Sequence, residues 1–218
     1  MLNMMKCYGH DEWLRARSKR IGGSDASAIV GMNPYKTNIE LWEEKTGRRE
    51  PADISNDEFV KYGHDAENHL RELFALDYPQ YKVLYEDDNI WLNDKYPFAH
   101  ASLDGWLVDE DGRKGVLEIK TTNILQSMQK EKWKDKVPDN YYIQVLHYLM
   151  VTEFEFAILK AQLKYEHNNG DVFLTTKHYK IERAEVEEDI KYLEDAERKF
   201  HNDYIINNRQ PNLVLPTI

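Results

Sequence analysis

A single cysteine, Cys7, stands in 218 residues, so the chain can close no intramolecular disulfide and build no cysteine-ligated zinc or iron–sulfur cluster. Long apolar runs are also missing. No stretch approaches the ~18 residues of a membrane span, and the opening MLNMMKCYGHDEW lacks a signal-peptide pattern. These absences predict a soluble cytoplasmic protein with no membrane partner. No Gly/Ser/Pro-rich linker divides the chain, so residues 1–218 are expected to form one domain, with core motifs over 13–148 and a C-terminal hairpin and acidic helix over 154–207.

Positive charge is scarce overall, with a formal net charge of −10, but it is unevenly placed. Arg15, Arg17, Lys19 and Arg20 fall within Trp13–Arg20 without an acid among them. Seven bases face three acids over 113–136, a balance of +4, whereas 182–203 holds nine acids and four bases, a balance of −5. Basic segments thus remain to meet phosphates despite the net charge.

What is present is chemically specific. In ASLDGWLVDEDGRKGVLEIKT, the mostly apolar run Ala101 to Val108, the turn cluster Asp109-Glu110-Asp111-Gly112 and the β-prone run Gly115 to Thr121 predict a hairpin. Alternation along a strand places Glu118 and Lys120 on one face, with Leu117 and Ile119 on the other. The hairpin folds Asp104 back toward Glu118. Two carboxylates and the Ile119 carbonyl are oxygen donors of the kind Mg²⁺ takes, and such a cation activates water and stabilises charge on a phosphodiester. Lys120 would orient that water or, with a depressed pKa, accept its proton. A solvated Glu-x-Lys strand edge is the competing reading.

Elsewhere, residues 10 to 20 look helical, Gly22-Gly23-Ser24-Asp25 breaks that element, and a short apolar helix follows over Ala26 to Val30. Thr37 and Glu40 form a capping box for a helix reaching Lys45. A longer helix over 57–77 puts Gly63, Glu67, Leu70 and Phe74 on one face, where Glu67 needs a cation, a metal or a basic partner. Gln144, in the helical DNYYIQVLHYLMVT, is aimed either at the site or at backbone. Phe154 to Tyr165 and Asp171 to Ile181 read as strands joined through His167-Asn168-Asn169-Gly170. A long amphipathic helix closes the chain.

In order, Trp13-x-x-x-Arg17, Gly22-Gly23-Ser24-Asp25-Ala26, Tyr62-Gly63-x-x-x-Glu67, Leu103-Asp104-Gly105, Leu117-Glu118-Ile119-Lys120 and Tyr141-x-x-Gln144-x-x-x-Tyr148 resemble the phage lambda exonuclease and YqaJ-type viral recombinase nucleases of the PD-(D/E)XK superfamily. The resemblance implies an α/β fold, a mixed sheet flanked by helices in one restriction-endonuclease-like domain. It implies that Asp104, Glu118 and the Ile119 carbonyl bind Mg²⁺, that Glu67 helps hold a second cation, and that Mn²⁺ is a possible substitute. Lys120 then directs water and Gln144 lines the site, while Arg17 and Ser24 contact a DNA 5′-phosphate. Leu103 replaces the proline of the superfamily's name.

The activity implied is 5′-to-3′ digestion of linear double-stranded DNA, releasing 5′-mononucleotides and leaving a 3′ tail for a single-strand annealing protein. A homotrimeric ring in a phage or prophage setting goes with it. Two rivals stay open: a structure-specific or restriction-like endonuclease of the same fold, and a non-catalytic DNA-end-binding recombination adaptor.

Overall fold

The fold is organised around one strand paired along most of its length. In the computed structural model, which describes residues 1–124, 127–166 and 170–215, this is β5 (Lys114–Ile124). It runs antiparallel to β4 (Gly105–Val108) over its first residues and parallel to β6 (Phe156–Glu166) from Gly115 to Ile124. β2 (Lys82–Leu84) and β7 (Val172–Glu182) complete a mixed sheet in the order β2-β4-β5-β6-β7. A two-stranded sheet, β1 (Leu2–Lys6) with β3 (Asn89–Asn93), lies apart. The expected mixed α/β architecture is therefore present.

Helices cover both faces of the larger sheet. α4 (Glu58–Asp77) starts where Asp57 accepts hydrogen bonds from the Phe59 and Val60 amides at 2.8 and 3.2 Å, and it packs Leu70 and Phe74 on Leu117, Ile119, Phe156 and Ile158. The opposite face carries α6 (Asp139–Thr152), buried on nearly every side from Ile143 onward. α2 (Gly23–Ile29) and α7 (Glu187–Lys199) pack on α6, while α1 (His10–Ser18) lies against β3, α3 (Asn38–Lys45) against α2, and α5 (Ser127–Lys132) against β5. The Thr37–Glu40 box opens α3 as expected. No helix among the described residues is long and apolar enough to cross a membrane.

The β4–β5 turn is built as its residue types predict. Asp109 accepts from the Asp111 and Arg113 amides at 3.1 and 2.9 Å, and Gly112 takes φ +79°. The first strand, however, begins at Gly105 rather than Ala101. Asn89 explains the delay: its side chain accepts from the Leu103 N–H and donates to the Leu103 carbonyl, both at 3.0 Å, holding that segment beside β3. β1, β2 and β3 were not foreseen. α2 starts three residues earlier than expected, at Gly23, because Asp25 accepts from the Gly22 amide at 3.1 Å and orders the glycine turn. The closing helix divides into a 3-10 turn (Arg183–Glu185), α7 and a π-helical turn (Phe200–Ile206). β6 and β7 pair antiparallel, and residues 167–169 of the expected turn lie outside the described residues.

Candidate active site

The β4–β5 register sets Gly105 opposite Leu117, which brings the preceding Asp104 beside Glu118. Asp104 Oδ2 accepts from the Ile119 amide at 2.8 Å, an anchor that fixes it to the edge of β5 just beyond the end of β4. The N–H and C=O of one residue in an extended strand leave the same edge, so the Ile119 carbonyl faces the Asp104 side. Asp104 is within hydrogen-bonding reach of a protonated Glu118. The hairpin thus juxtaposes the residues it was expected to.

Glu118 and Lys120 share a face, with Lys120 Nζ 2.5 Å from Glu118 Oε1. The same oxygen accepts from Gln144 Nε2 at 2.9 Å, and that amide also donates to the Tyr148 hydroxyl at 2.8 Å. Gln144 therefore meets a carboxylate rather than backbone. Lys120 also lies 5.2 Å from the Tyr141 ring centroid, so Tyr141, Gln144 and Tyr148 line one stripe of α6 over the charged strand face. That face is not an open cleft: Glu118 is 1% exposed. Its second oxygen, Oε2, is buried and no protein N–H or hydroxyl donates to it, so with Asp104 alongside the position is short of positive charge.

Electrostatics agree with this shortage. Burial and then the Asp104 charge push Glu118 up to about 8, with Lys120 pulling the other way. Glu67 rises to about 7 for the same two reasons, opposed by Arg71. Burial also raises Asp104. Burial works to lower the Lys120 ammonium, but Glu118 and Asp104 more than reverse it, and the net direction is up. Lys120 is thus held charged, which favours orienting water over accepting its proton.

Glu67 projects from α4 and pairs with Arg71 Nη1 at 3.0 Å. Arg71 also donates to the Asp104 carbonyl at 2.5 Å and stacks 3.5 Å from the Tyr85 ring centroid. It is 7% exposed and locks α4 to the approach of β4. Among the described residues no three His, Cys, Asp or Glu side chains gather as a metal cage. Two carboxylates, Asp104 and Glu118 with its undonated Oε2, and the Ile119 carbonyl are hard oxygen donors that fit a divalent cation needing further ligands from water and substrate.

Arg17 stacks on Trp13, 4.0 Å from its ring centroid, and the Trp13 indole donates to Ser102 Oγ at 3.2 Å. The Arg17 charge bears on His100, whose ring lies against Gly22; a Cβ there would come within 2.8 Å of it. A Cβ at Gly23 would meet Tyr148 at 2.6 Å and Gln144 at 2.9 Å, so Ser24, exposed on the next position, stands at the outer rim of the Gln144–Glu118 contact. The turn does not offer all its amides to an anion, since the Asp25 carboxylate already takes the Gly22 N–H and pairs with Lys45 at 2.7 Å.

The chain matches the family of YqaJ-like viral recombinase domains over residues 12–155, a span holding every residue named in this site. It belongs to that family. Its members include YqaJ, an uncharacterized protein of Bacillus subtilis (strain 168), which is 34% identical over 93% of this chain; the chain spans 59% of that relative's length. Among solved structures, the alkaline exonuclease LHK-Exo from Laribacter hongkongensis aligns with a TM-score of 0.62 at 17% identity, covering 91% of this chain and 96% of that one. A phage related exonuclease from Haemophilus somnus 129PT aligns with a TM-score of 0.53 at 14% identity, covering 87% and 96%. At these identities the two structures speak for a shared fold.

One residue of the site, Arg71, carries no motif of its own. Arg71 is one turn beyond Glu67, and the i, i+4 spacing was a usable signal. Outside the site, His147 and Glu197, paired at 2.8 Å with both side chains fully buried, sit on α6 and α7 and carried no local pattern.

Proposed function

We propose that this chain is a divalent-cation-dependent nuclease that digests linear double-stranded DNA from its 5′ end, in the manner of PD-(D/E)XK exonucleases. The observation that carries the reading is the buried Glu118: one oxygen is gripped by Lys120 and Gln144, the other has no partner, and Asp104 is fixed alongside. What favours catalysis over a non-catalytic adaptor is the gathering of Glu118, Asp104 and Glu67 about Lys120 and Arg71, three acids against two bases. Asp104, Glu118 and the Ile119 carbonyl would hold Mg²⁺ or Mn²⁺, which when bound supplies water activation and charge neutralisation on the phosphodiester.

The chain's own residues do the rest. Gln144 fixes the Glu118 rotamer, and Lys120, kept protonated, donates to the attacking water and holds its lone pair toward phosphorus. Glu67, raised to about 7 by burial and the Asp104 charge, would be stabilised in its charged form by a second cation. Arg17 and Ser24 would receive the terminal 5′-phosphate, the guanidinium by bidentate contact. The product would be a 5′-mononucleotide, and LHK-Exo has been solved in complex with dAMP. A 3′-tailed duplex, a single-strand annealing protein and a trimeric ring are the partners and assembly we propose with it.

The test uses linear duplexes bearing a 5′-phosphate or a 5′-hydroxyl, labelled at one end, with a covalently closed circle beside them and Mg²⁺ added. Mononucleotides released from phosphorylated 5′ ends, with the circle intact, are expected. Release from 3′ ends overturns the polarity, and cutting of the circle favours the endonuclease.

A further inference from the structure

The register of the sheet extends the Glu118 face beyond the catalytic side chains. Glu118 pairs with Leu159 and Lys120 with Ala161, so Leu163 and Tyr165, farther along β6, lie on the same face, as do Phe173, Thr175 and Lys177 opposite them on β7. At ~3.3 Å per residue, Tyr165 stands roughly 20 Å along the sheet from Glu118. There a groove of about 510 Å³ opens between α5 and the β6–β7 hairpin, lined by Lys130, Lys134, Lys177, Leu163, Tyr165 and Phe173 together with Glu131 and Thr175.

Three lysines face one acid, a balance of +2. Lys177 directs its ammonium at the Trp133 and Lys134 carbonyls, at 2.5 and 2.8 Å, which leave its charge uncancelled. Lys130 lies 5.7 Å from the Tyr165 ring centroid, and Phe173 is 55% exposed. Trp133 joins this region to the catalytic end, stacking with Tyr141, whose ring Lys120 approaches, and with Tyr179. Cations beside aromatic faces, on a surface continuous with a phosphodiester-cleaving centre, match the chemistry of an unpaired nucleic-acid strand: phosphates against ammonium groups and bases against rings.

We propose that this groove holds an unpaired DNA strand next to the catalytic centre. The inference rests on the nuclease reading for its context but is tested by binding alone. Affinity for a fluorescent oligothymidylate is measured in EDTA across a salt series, for the parent protein and for Phe173→Ala and the double variant Lys130→Ala/Lys134→Ala, all at exposed positions. Phe173→Ala is expected to weaken binding between about fivefold and about a hundredfold. The double variant is expected to lower the slope of log affinity against log salt by about 1.4, since each phosphate contact to a single strand contributes about 0.7. Binding as tight as the parent's in both variants overturns the proposal, as does an equal loss for a blunt duplex. If the parent shows no nuclease activity while strand binding still depends on these residues, the catalytic reading fails and the groove stands.

Discussion

Two ionic pairs are buried against α6, and they do different work. Glu118–Lys120 lies under its sheet-facing stripe; His147–Glu197 lies on its other side, where the imidazole is held between Glu197 and the His100 carbonyl, each at 2.8 Å. Each pair leaves one carboxylate oxygen buried without a partner. What separates them is company. Asp104 and Glu67 add two more acids to the first pair, against Lys120 and Arg71, so negative charge is in excess there and the carboxyls are driven up. Glu197 faces one imidazole, whose protonation burial opposes but the Glu197 charge favours, for a net rise. A buried pair that balances closes a core, and one that is short of positive charge is ready for a cation.

That contrast is open to attack by substitution. Glu118→Ala should cut Mg²⁺-dependent nucleotide release by on the order of 10³-fold or more while DNA binding persists, as read by end-labelled digestion and gel shift; undiminished digestion would remove Glu118 from the chemistry. Glu197→Ala should do the reverse. Removing one partner of a buried pair costs about 3–5 kcal/mol of stability, measured by urea unfolding, with activity per folded molecule unchanged.

A third test uses pH. The values of about 8 for Glu118 and about 7 for Glu67 lie above the ~4.3 of an unfolded glutamate, so the folded chain retains protons that the unfolded chain gives up. The stability from these protonated groups is full below about pH 4 and is lost as pH rises toward 8. In EDTA the melting temperature should therefore fall across that window. Mg²⁺ should restore it most at the alkaline end, and Glu118→Gln should flatten the fall; an Mg²⁺ effect independent of pH would contradict the site. The smallest effect is at Arg17. Arg17→Ala should reduce the preference for 5′-phosphorylated over 5′-hydroxyl ends by about tenfold with little change in cleavage of ends already bound, and equal preference in variant and parent would remove Arg17 from that role.

The sequence was most legible where chemistry is local. Alternation placed Glu118 and Lys120 together, the Asp109–Gly112 turn returned Asp104 to them, and helical spacing put Glu67 on the face of Leu70 and Phe74. What stayed hidden depends on distant partners. Asn89 delays β4 by pairing with Leu103, fourteen positions away, and no propensity announces a side chain imitating a strand. β1 and β3 pair across more than eighty residues. Nothing local to β5 showed that α6 would cover Glu118, with Tyr141 and Tyr148 beside Gln144 roofing the site.

The length of pairing along β5 also bears on how the molecule yields. Glu118 and Lys120 sit mid-strand where β5 is in register with β6 over ten consecutive positions, and the Ile119 N–H between them is held by Asp104 on the other edge, a part of a sheet that opens only with the whole domain. Amide exchange at these positions should rank among the slowest in the protein. On the proposed nuclease reading these groups then act as a fixed gauge, and it is the nucleic acid that must bend, fray and advance to meet them.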